Sequence, residues 1–339
     1  MAAPEGRRGL MARVAVWRGG TEVTLEAVAL PEPGPGETLV EIDLATVCGS
    51  DHHTVSGRRP GACPSVLGHE GVGRIVGTGQ RVVWGVTVSC GTCDRCLRGL
   101  TAKCRSLRKL GHEAYQVAWP LSGTYATHVL LPAGTAVVPV PDTLTDAVAA
   151  PAGCATATVM AALERAGSLR GRRVLVVGAG MLGLTAIAAA ADAAAAEVVV
   201  SDVVPARLEL ASEFGATSTL SAGQGIGPVD VAMDFSGAAP AIEAALGALD
   251  VGGSLVLVGS VSPGPAISVD PESIVRGWRS VSGVHNYERR HLEQAVAFLA
   301  DSDRPWAELV EEPVGLDRVG DVLTRELGRP RSSVRPRED

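Results

Sequence analysis

Residues 172–202, RRVLVVGAGMLGLTAIAAAADAAAAEVVVSD, constrain the fold more than any other stretch of the 339-residue chain. An apolar run over 174–177 predicts a buried parallel strand. It meets Gly178-Ala179-Gly180-Met181-Leu182-Gly183 and passes directly into an Ala- and Leu-rich helix. A second apolar run over 198–200 ends in Asp202, 24 residues after the first glycine. Strand, glycine turn, helix, strand and acid in this order suit a dinucleotide. Gly178 permits the tight turn, Gly180 lets backbone approach a pyrophosphate, and Gly183 lets the helix pack close to the strand. The helix N-terminus presents unpaired N–H groups and a partial positive charge to the phosphates. A carboxylate at 202 can accept from both ribose hydroxyls and repels a 2′-phosphate, so NAD is expected over NADP. Arg207 either lies along the adenosine ribose or is an ordinary solvated helix residue.

Seven cysteines are present, at 48, 63, 90, 93, 96, 104 and 154. The number is odd, and in a cytosolic chain metal binding or catalysis is the default over disulfides. Cys90-x2-Cys93-x2-Cys96-x7-Cys104 places four thiols within fifteen residues, broken by Gly91, Asp94 and Gly99. Such a lobe can close one tetrahedral zinc shell. With no open coordination position, its zinc would be structural rather than catalytic. The alternatives are four unrelated reduced cysteines or a nucleic-acid zinc ribbon. A ribbon usually pairs two well-separated C-x2-C knuckles, and the acidic balance speaks against it.

That balance is a net charge of −7 with no basic tail, which argues against nucleic acid as the main partner. Nearly half the chain is apolar (46%), sufficient for a substantial core in about two domains. The N-terminal residues show no apolar signal-peptide core, and the longest weakly apolar stretch, 181–196, is interrupted by Asp192. The expectation is therefore a cytoplasmic protein with no membrane span.

Residues 12–44 alternate apolar and polar around a Pro/Gly turn at 31–36, as in short antiparallel strands of a barrel or curled sheet. Residues 45–53, ATVCGSDHH, are dense in metal-capable groups, and a basic loop follows at 57–61. Gly68-His69-Glu70-Gly71 leads into a strand over 72–76, and strands recur over 124–140. The composition shifts to an Ala-rich helix at 151–158. Beyond it, strands at 174–177, 198–200, 229–234 and 254–259 alternate with helices, the last strand following a Gly252-Gly253 turn. This pattern predicts a doubly wound α/β sheet. Pro205 suits a helix's first turn and Gly215 its stop. A helix over 291–300 should carry the chain back to the first domain.

Taken together, the motifs resemble the zinc-dependent medium-chain alcohol dehydrogenases over essentially the whole chain. The resemblance rests on Cys48-Gly-Ser-Asp-x-His53, Gly68-His-Glu70, the four-cysteine lobe, Cys154 ahead of the nucleotide fold, and GAGMLG with Asp202. Within that family the strings VLGHEGVGRIVG, CGTCDRC, YATHVLLPAGTAVV, PAGCATATVMAALE and GVHNY are similar to the branch called phosphonate-catabolism-associated alcohol dehydrogenase. The resemblance implies a GroES-like β-rich catalytic domain over 1–155, with the structural zinc lobe at 90–104. It further implies a Rossmann NAD-binding domain over 156–284 and a return to the catalytic domain over 285–339. Two zinc ions per chain are implied. The catalytic one would be held by Cys48, His69 and Cys154, with a fourth place open for water or a substrate oxygen, and Glu70 would lie behind it as an occasional ligand. Two thiolates offset the metal's charge while the open place keeps it a Lewis acid. Hydride then passes between the alcohol carbon and the nicotinamide.

Further roles are implied by position. Ser50 and then His53 would carry the proton out to solvent. Asp51 would hydrogen-bond His69. Thr158 would lie near the nicotinamide, and backbone at Val258 and Gly259 would contact its carboxamide. Taken singly, Cys48 or Cys154 is more often a small buried apolar residue, and His69 a satisfied core histidine. Their co-occurrence with the nucleotide fold and the lobe favours a metal set. His52 and Cys63 are given no role. About a dozen surface-loop residues that the family carries after Gly77-Thr-Gly79 are absent.

A phosphonate is an anion, and an acidic protein needs a local positive pocket to hold one. Arg58 and Arg59 are the first candidates, with a second cluster at Arg105, Arg108, Lys109 and His112, and His285 and Arg289 near the return of the chain. Taken singly, each is more often solvated surface. The expected partner is a small-molecule substrate, with no nucleic acid and no membrane, in a homodimer or homotetramer. Three functions follow: an NAD-dependent zinc dehydrogenase of a hydroxyalkyl phosphonate, the same enzyme on a neutral alcohol or polyol, or a non-catalytic zinc- and nucleotide-binding protein.

Overall fold

A computed structural model describes residues 10–116, 118–221, 223–325 and 328–337. The chain forms two compact units, one built from residues up to Cys154 and again from Glu288 onward, the other from Ala155–Tyr287. His285 therefore belongs to the second unit and Arg289 to the first.

In the first unit, long antiparallel strands bury one face. Met11–Gly19 pairs with Glu22–Ala29 and with the two-residue strand Ser65–Val66. The larger sheet runs Val314–Gly315, Ser332–Arg335, Thr38–Val47, Glu70–Ile75, Arg81–Val88 and Arg108–Lys109, with His128–Leu131 and Thr135–Pro139 paired onto its central strands. The alternation expected over 12–44 is thus realised as two hairpin strands and a third, Thr38–Val47. Val14, Val16, Leu39, Ile42, Trp84 and Leu121 fill the core between the sheets. Of these, Val14, Val16, Ile42 and Trp84 are the β-branched and aromatic types that favour a half-buried pleat.

One local expectation is revised, and two segments gain a definite form. The metal-capable stretch 45–53 ends one strand and opens a helix: Gly49–Val55 is helical and capped by Cys48, with Asp51 accepting the Cys48 amide in a capping box. The strand after His69 begins at Glu70 rather than at 72, so Glu70 lies in the sheet itself. The absent loop after Gly79 leaves a tight reversal, with the Gly79 amide on the Ile75 carbonyl at 2.9 Å and Arg74 opposite Arg81.

The second unit is a six-stranded parallel sheet in the order Ser218–Ser221, Glu197–Asp202, Arg173–Val177, Val229–Asp234, Leu249–Leu257, Ser280–Gly283. The helices Ala155–Ala166, Met181–Asp192, Pro205–Glu213 and Ala239–Gly247 connect and cover it. The glycine pair at 252–253 does not precede the fifth strand as a turn. The strand begins at Leu249 and passes through it with a register shift, Gly252 having a φ of +75°. An extended bulge absorbs three extra residues between Leu249 and Ser254, which pair with Val229 and Val231, where a turn was expected. The helix expected over 291–300 starts two residues earlier and spans Arg289–Ala300, in the first unit. Among the described residues no single helix is long and apolar enough to cross a membrane.

Candidate active site

Cys48, His69, Glu70 and Cys154 come from three places in the first unit. Cys48 ends the Thr38–Val47 strand and caps the next helix. His69 and Glu70 straddle the start of the Glu70–Ile75 strand, and Cys154 follows a 3₁₀ turn over Ala150–Gly153. One donor atom from each lies within 4.8 Å of all the others. Cys48, His69 and Glu70 are buried and Cys154 half-buried. Gly68 makes the approach possible. Its φ is +89°, and a Cβ there would come within 2.3 Å of Thr124 Oγ1.

The two thiols share a proton unequally. A hydrogen bond from Cys154 lowers Cys48 well below the ordinary thiol range, and the same bond raises Cys154 well above it. Burial opposes a charged His69, yet the Asp51 carboxylate and Cys48 outweigh it and raise the imidazole to about 10. Cys48 is thus the more acidic thiol, Cys154 the one that holds its proton, and His69 a cation, a donor set suited to a divalent cation that would displace the protons. Asp51 Oδ1 lies 3.5 Å from His69 Nδ1, and neither atom has a hydrogen-bond partner among the described residues.

Glu70 is held firmly. Arg331 closes on its carboxylate at 2.8 Å through Nε and through Nη2, and Thr46 Oγ1 donates to it at 2.6 Å. Arg331 Nη2 also lies 3.7 Å from Cys48 Sγ. Neither Arg331 nor Thr46 was legible as a site residue: Arg331 lies 261 positions beyond Glu70, and only strand pairing between Ser332–Arg335 and Thr38–Val47 brings it in.

Ser50 Oγ sits 3.4 Å from His69 Nε2. No hydrogen bond joins Ser50 to His53, whose Nδ1 is buried without a partner among the described residues. His52, given no role from sequence, accepts a structural one: its Nδ1 donates to the Leu323 carbonyl at 3.0 Å, tying its helix to Val319–Thr324.

Four sulfurs converge in the lobe: Cys90–Cys104 3.4 Å, Cys93–Cys96 3.5 Å, Cys90–Cys96 and Cys93–Cys104 4.0 Å. Tetrahedral zinc with bonds of about 2.3 Å places sulfurs about 3.8 Å apart, so the geometry fits that ion. The Thr92 amide and hydroxyl, followed by the Cys93 amide, lower Cys90 to about 6, whereas burial raises Cys96 to about 12. The lobe is pinned by Glu288, which accepts the Thr101 and Ala102 amides at 3.1 Å each.

The cationic candidates separate. Arg105 is committed to Asp94 and Arg289 to Glu293, and Arg108 lies over Trp119 at 4.9 Å. Arg58 is exposed and donates to Ser56. His112 stands beside the metal set, its ring centroid 4.7 Å from that of His69. Gly111 makes this possible, since a Cβ there would meet the Gly68 carbonyl at 2.0 Å. Burial and then the Arg59 charge lower Lys109, and burial, His69 and Arg59 lower His112. No ion pair engages Lys109 or Arg59 among the described residues.

In the second unit, Gly178 has a φ of +93°, and a Cβ on Gly183 would strike the Gly178 carbonyl at 1.8 Å. Nothing in the protein lies within 4 Å of a Cβ placed on Gly180, so the space above it is free for a ligand. The helix that starts at Met181 has no side-chain cap, which leaves its first amides available for phosphate. Asp202 ends its strand, buried, accepting the Ala179 amide at 2.7 Å and the Val204 amide at 2.8 Å. Arg207 approaches it to 3.9 Å. Leu182 is half-buried and Met181, Thr158 and Val258 are buried, while Val258 and Gly259 both donate to the Asp234 carbonyl at 2.9 Å. These residues fit a dinucleotide.

A doubly wound sheet with a glycine turn, accompanied by a buried Cys/His/Cys set and a four-cysteine lobe, defines a metal-dependent, nucleotide-dependent oxidoreductase. Residues 34–142 match the alcohol dehydrogenase GroES-like domain, and residues 182–301 match the zinc-binding dehydrogenase family. The chain is 30% identical to 5-exo-hydroxycamphor dehydrogenase of Pseudomonas putida, over 96% of this chain and 98% of that one. It is also 30% identical to L-threonine 3-dehydrogenase of Klebsiella pneumoniae, over 85% and 88%. Similar solved structures include an alcohol dehydrogenase from Thermotoga maritima, with 25% identity, a TM-score of 0.90, and 97% and 100% of the two chains covered. Another is a zinc-binding dehydrogenase from Sinorhizobium meliloti bound to NADP, with 26% identity, a TM-score of 0.85, and 96% and 100% covered. The chain belongs to the zinc-dependent medium-chain alcohol dehydrogenase family.

Proposed function

We propose that this protein transfers hydride between NAD(H) and a small alcohol or aldehyde, with Cys48, His69 and Cys154 holding the catalytic zinc and Cys90, Cys93, Cys96 and Cys104 the structural one. The convergence of Cys48, His69 and Cys154 in one buried set carries this proposal. When bound, zinc supplies Lewis acidity and the nicotinamide accepts or returns hydride. The chain's own residues do the rest. Asp51 orients His69, Ser50 stands where a hydroxyl can pass a proton outward, and Asp202 engages the ribose and disfavours a 2′-phosphate. The open cradle over Gly180 takes the pyrophosphate. A reducing compartment, the cytoplasm, suits seven free thiols.

For the substrate we favour a hydroxyalkyl phosphonate, as in the phosphonate-catabolism-associated branch. The support is local: Arg59 and Lys109 are two cations close enough to act on His112, neither in an ion pair among the described residues, and His112, whose burial disfavours its charged form, adds ring nitrogens beside His69. A guanidinium fork suits phosphonate oxygens. A neutral alcohol or polyol is the second reading, supported by the relative named for hydroxycamphor. A turnover panel followed at the NADH absorbance separates them. Replacing Arg59 by Ala should raise KM for a phosphonate alcohol far more than for a neutral one, with Arg58→Ala smaller; equal effects on both substrates overturn the phosphonate assignment. Self-association is proposed through the edge strand Ser280–Gly283, beside which Trp278 is 83% exposed.

A further inference from the structure

We propose that Tyr125 is a positioning residue for the catalytic metal: its hydroxyl fixes the Asp51 carboxylate so that one oxygen remains to orient His69. This rests on the assignment of Cys48, His69 and Cys154 as zinc ligands.

Asp51 is fully buried, and its two oxygens have different work. Oδ2 accepts the Cys48 amide at 3.1 Å and the Tyr125 hydroxyl at 3.0 Å. Oδ1 has no such donor and faces His69 Nδ1 at 3.5 Å. A buried carboxylate seeks donors with both oxygens. With Oδ2 saturated, the imidazole N–H is what Oδ1 can take. That choice sets the tautomer, placing the proton on Nδ1 and leaving Nε2, beside Ser50, free to ligate.

Tyr125 is well placed for the task because it grips the His69 segment as well. Its amide donates to the Leu67 carbonyl at 3.2 Å, and its own carbonyl accepts from Ala15 at 2.9 Å. Its ring packs on Gly68, where a Cβ would come within 2.9 Å of two ring carbons. The same side chain therefore touches the backbone immediately before His69 and the carboxylate that aims it. Burial first, and the Asp51 charge second, raise the phenol well above its ordinary range, so it stays a donor at all working pH. A phenylalanine would fill the same space and lose only the donor, leaving Asp51 Oδ2 with one partner and the carboxylate free to turn from His69.

The test uses the full-length protein loaded with zinc, and separately with cobalt(II), which reports ligand geometry in its visible spectrum. In Tyr125→Phe, a chelator should remove the zinc at the Cys48 set roughly 10–100-fold faster, the range for loss of a group behind a metal ligand. The zinc in the four-cysteine lobe should leave at the wild-type rate, and the cobalt bands of the Cys48 set should shift. On an Asp51→Asn background, Tyr125→Phe should add little. Unchanged extraction and spectrum would overturn the role of Tyr125. So would equal loss of both metals, which marks general unfolding, or full additivity with Asp51→Asn. Failure of the ligand assignment reads differently: Cys48→Ser would then still bind two metals per chain.

Discussion

Arg331 and Glu70, 261 positions apart, form a two-pronged ion pair behind the metal set, at 2.8 Å through Nε and 2.8 Å through Nη2. Both side chains are almost completely buried, 5% and 0% exposed. Burial raises the Glu70 carboxyl and Arg331 works against that rise. Thr46 completes the carboxylate's shell. The pair closes the back of the site with two charges that are viable only together.

Removing one partner should therefore cost far more than removing both. Arg331→Leu leaves Glu70 uncompensated and is expected to lower stability by about 3–5 kcal/mol. Adding Glu70→Gln should restore much of that loss. Urea denaturation of the zinc-loaded proteins checks both, and equal stability of the single and double variants would contradict this account.

Zinc loading should release protons. His69 is raised to about 10 and Cys154 well above its ordinary range, so at neutral pH the metal-free set carries an imidazolium and a thiol. Both must deprotonate to ligate, about two protons per catalytic ion. Affinity should consequently rise with pH, because each proton lost in advance no longer competes, and the His69 contribution should level off above about 10. Calorimetric titration in buffers of different ionisation enthalpy counts these protons.

Cofactor choice should turn on Asp202. Replacing it by Ser removes the charge that repels a 2′-phosphate while leaving a polar group near the Ala179 amide. The preference for NAD over NADP, as a ratio of kcat/KM, should fall by about 10–100-fold, equivalent to about 1.4–2.8 kcal/mol. An unchanged ratio would mean that Asp202 serves only to cap backbone amides.

Self-association should depend on the edge strand. Trp278 and Val281 are exposed beside the unpaired edge of Ser280–Gly283. Open edges with large apolar neighbours pair readily. Trp278→Glu should shift the protein toward monomer in sedimentation velocity, whereas a wild type already monomeric would remove the basis for this interface.

What the residues alone determined is the chemistry with short-range grammar. The glycine turn, its strand and its acid lie within about thirty residues, and the four-cysteine lobe within fifteen. Backbone sterics and ligand spacing dictate such motifs locally, so they are readable before folding. Cys48, His69 and Cys154 were recovered through family likeness, since no spacing rule joins residues so far apart. Tertiary structure alone decided the rest. Thr46, Tyr125 and Arg331 come to the site because particular strands pair and because Gly68 and Gly111 let backbones pass closely. It likewise set Arg105, Arg108 and Arg289 against their own partners and left Lys109 and Arg59 without an ion pair among the described residues. A charge in the sequence carries no sign of whether a carboxylate will fold against it; only packing assigns partners, and partners decide what a buried group can do.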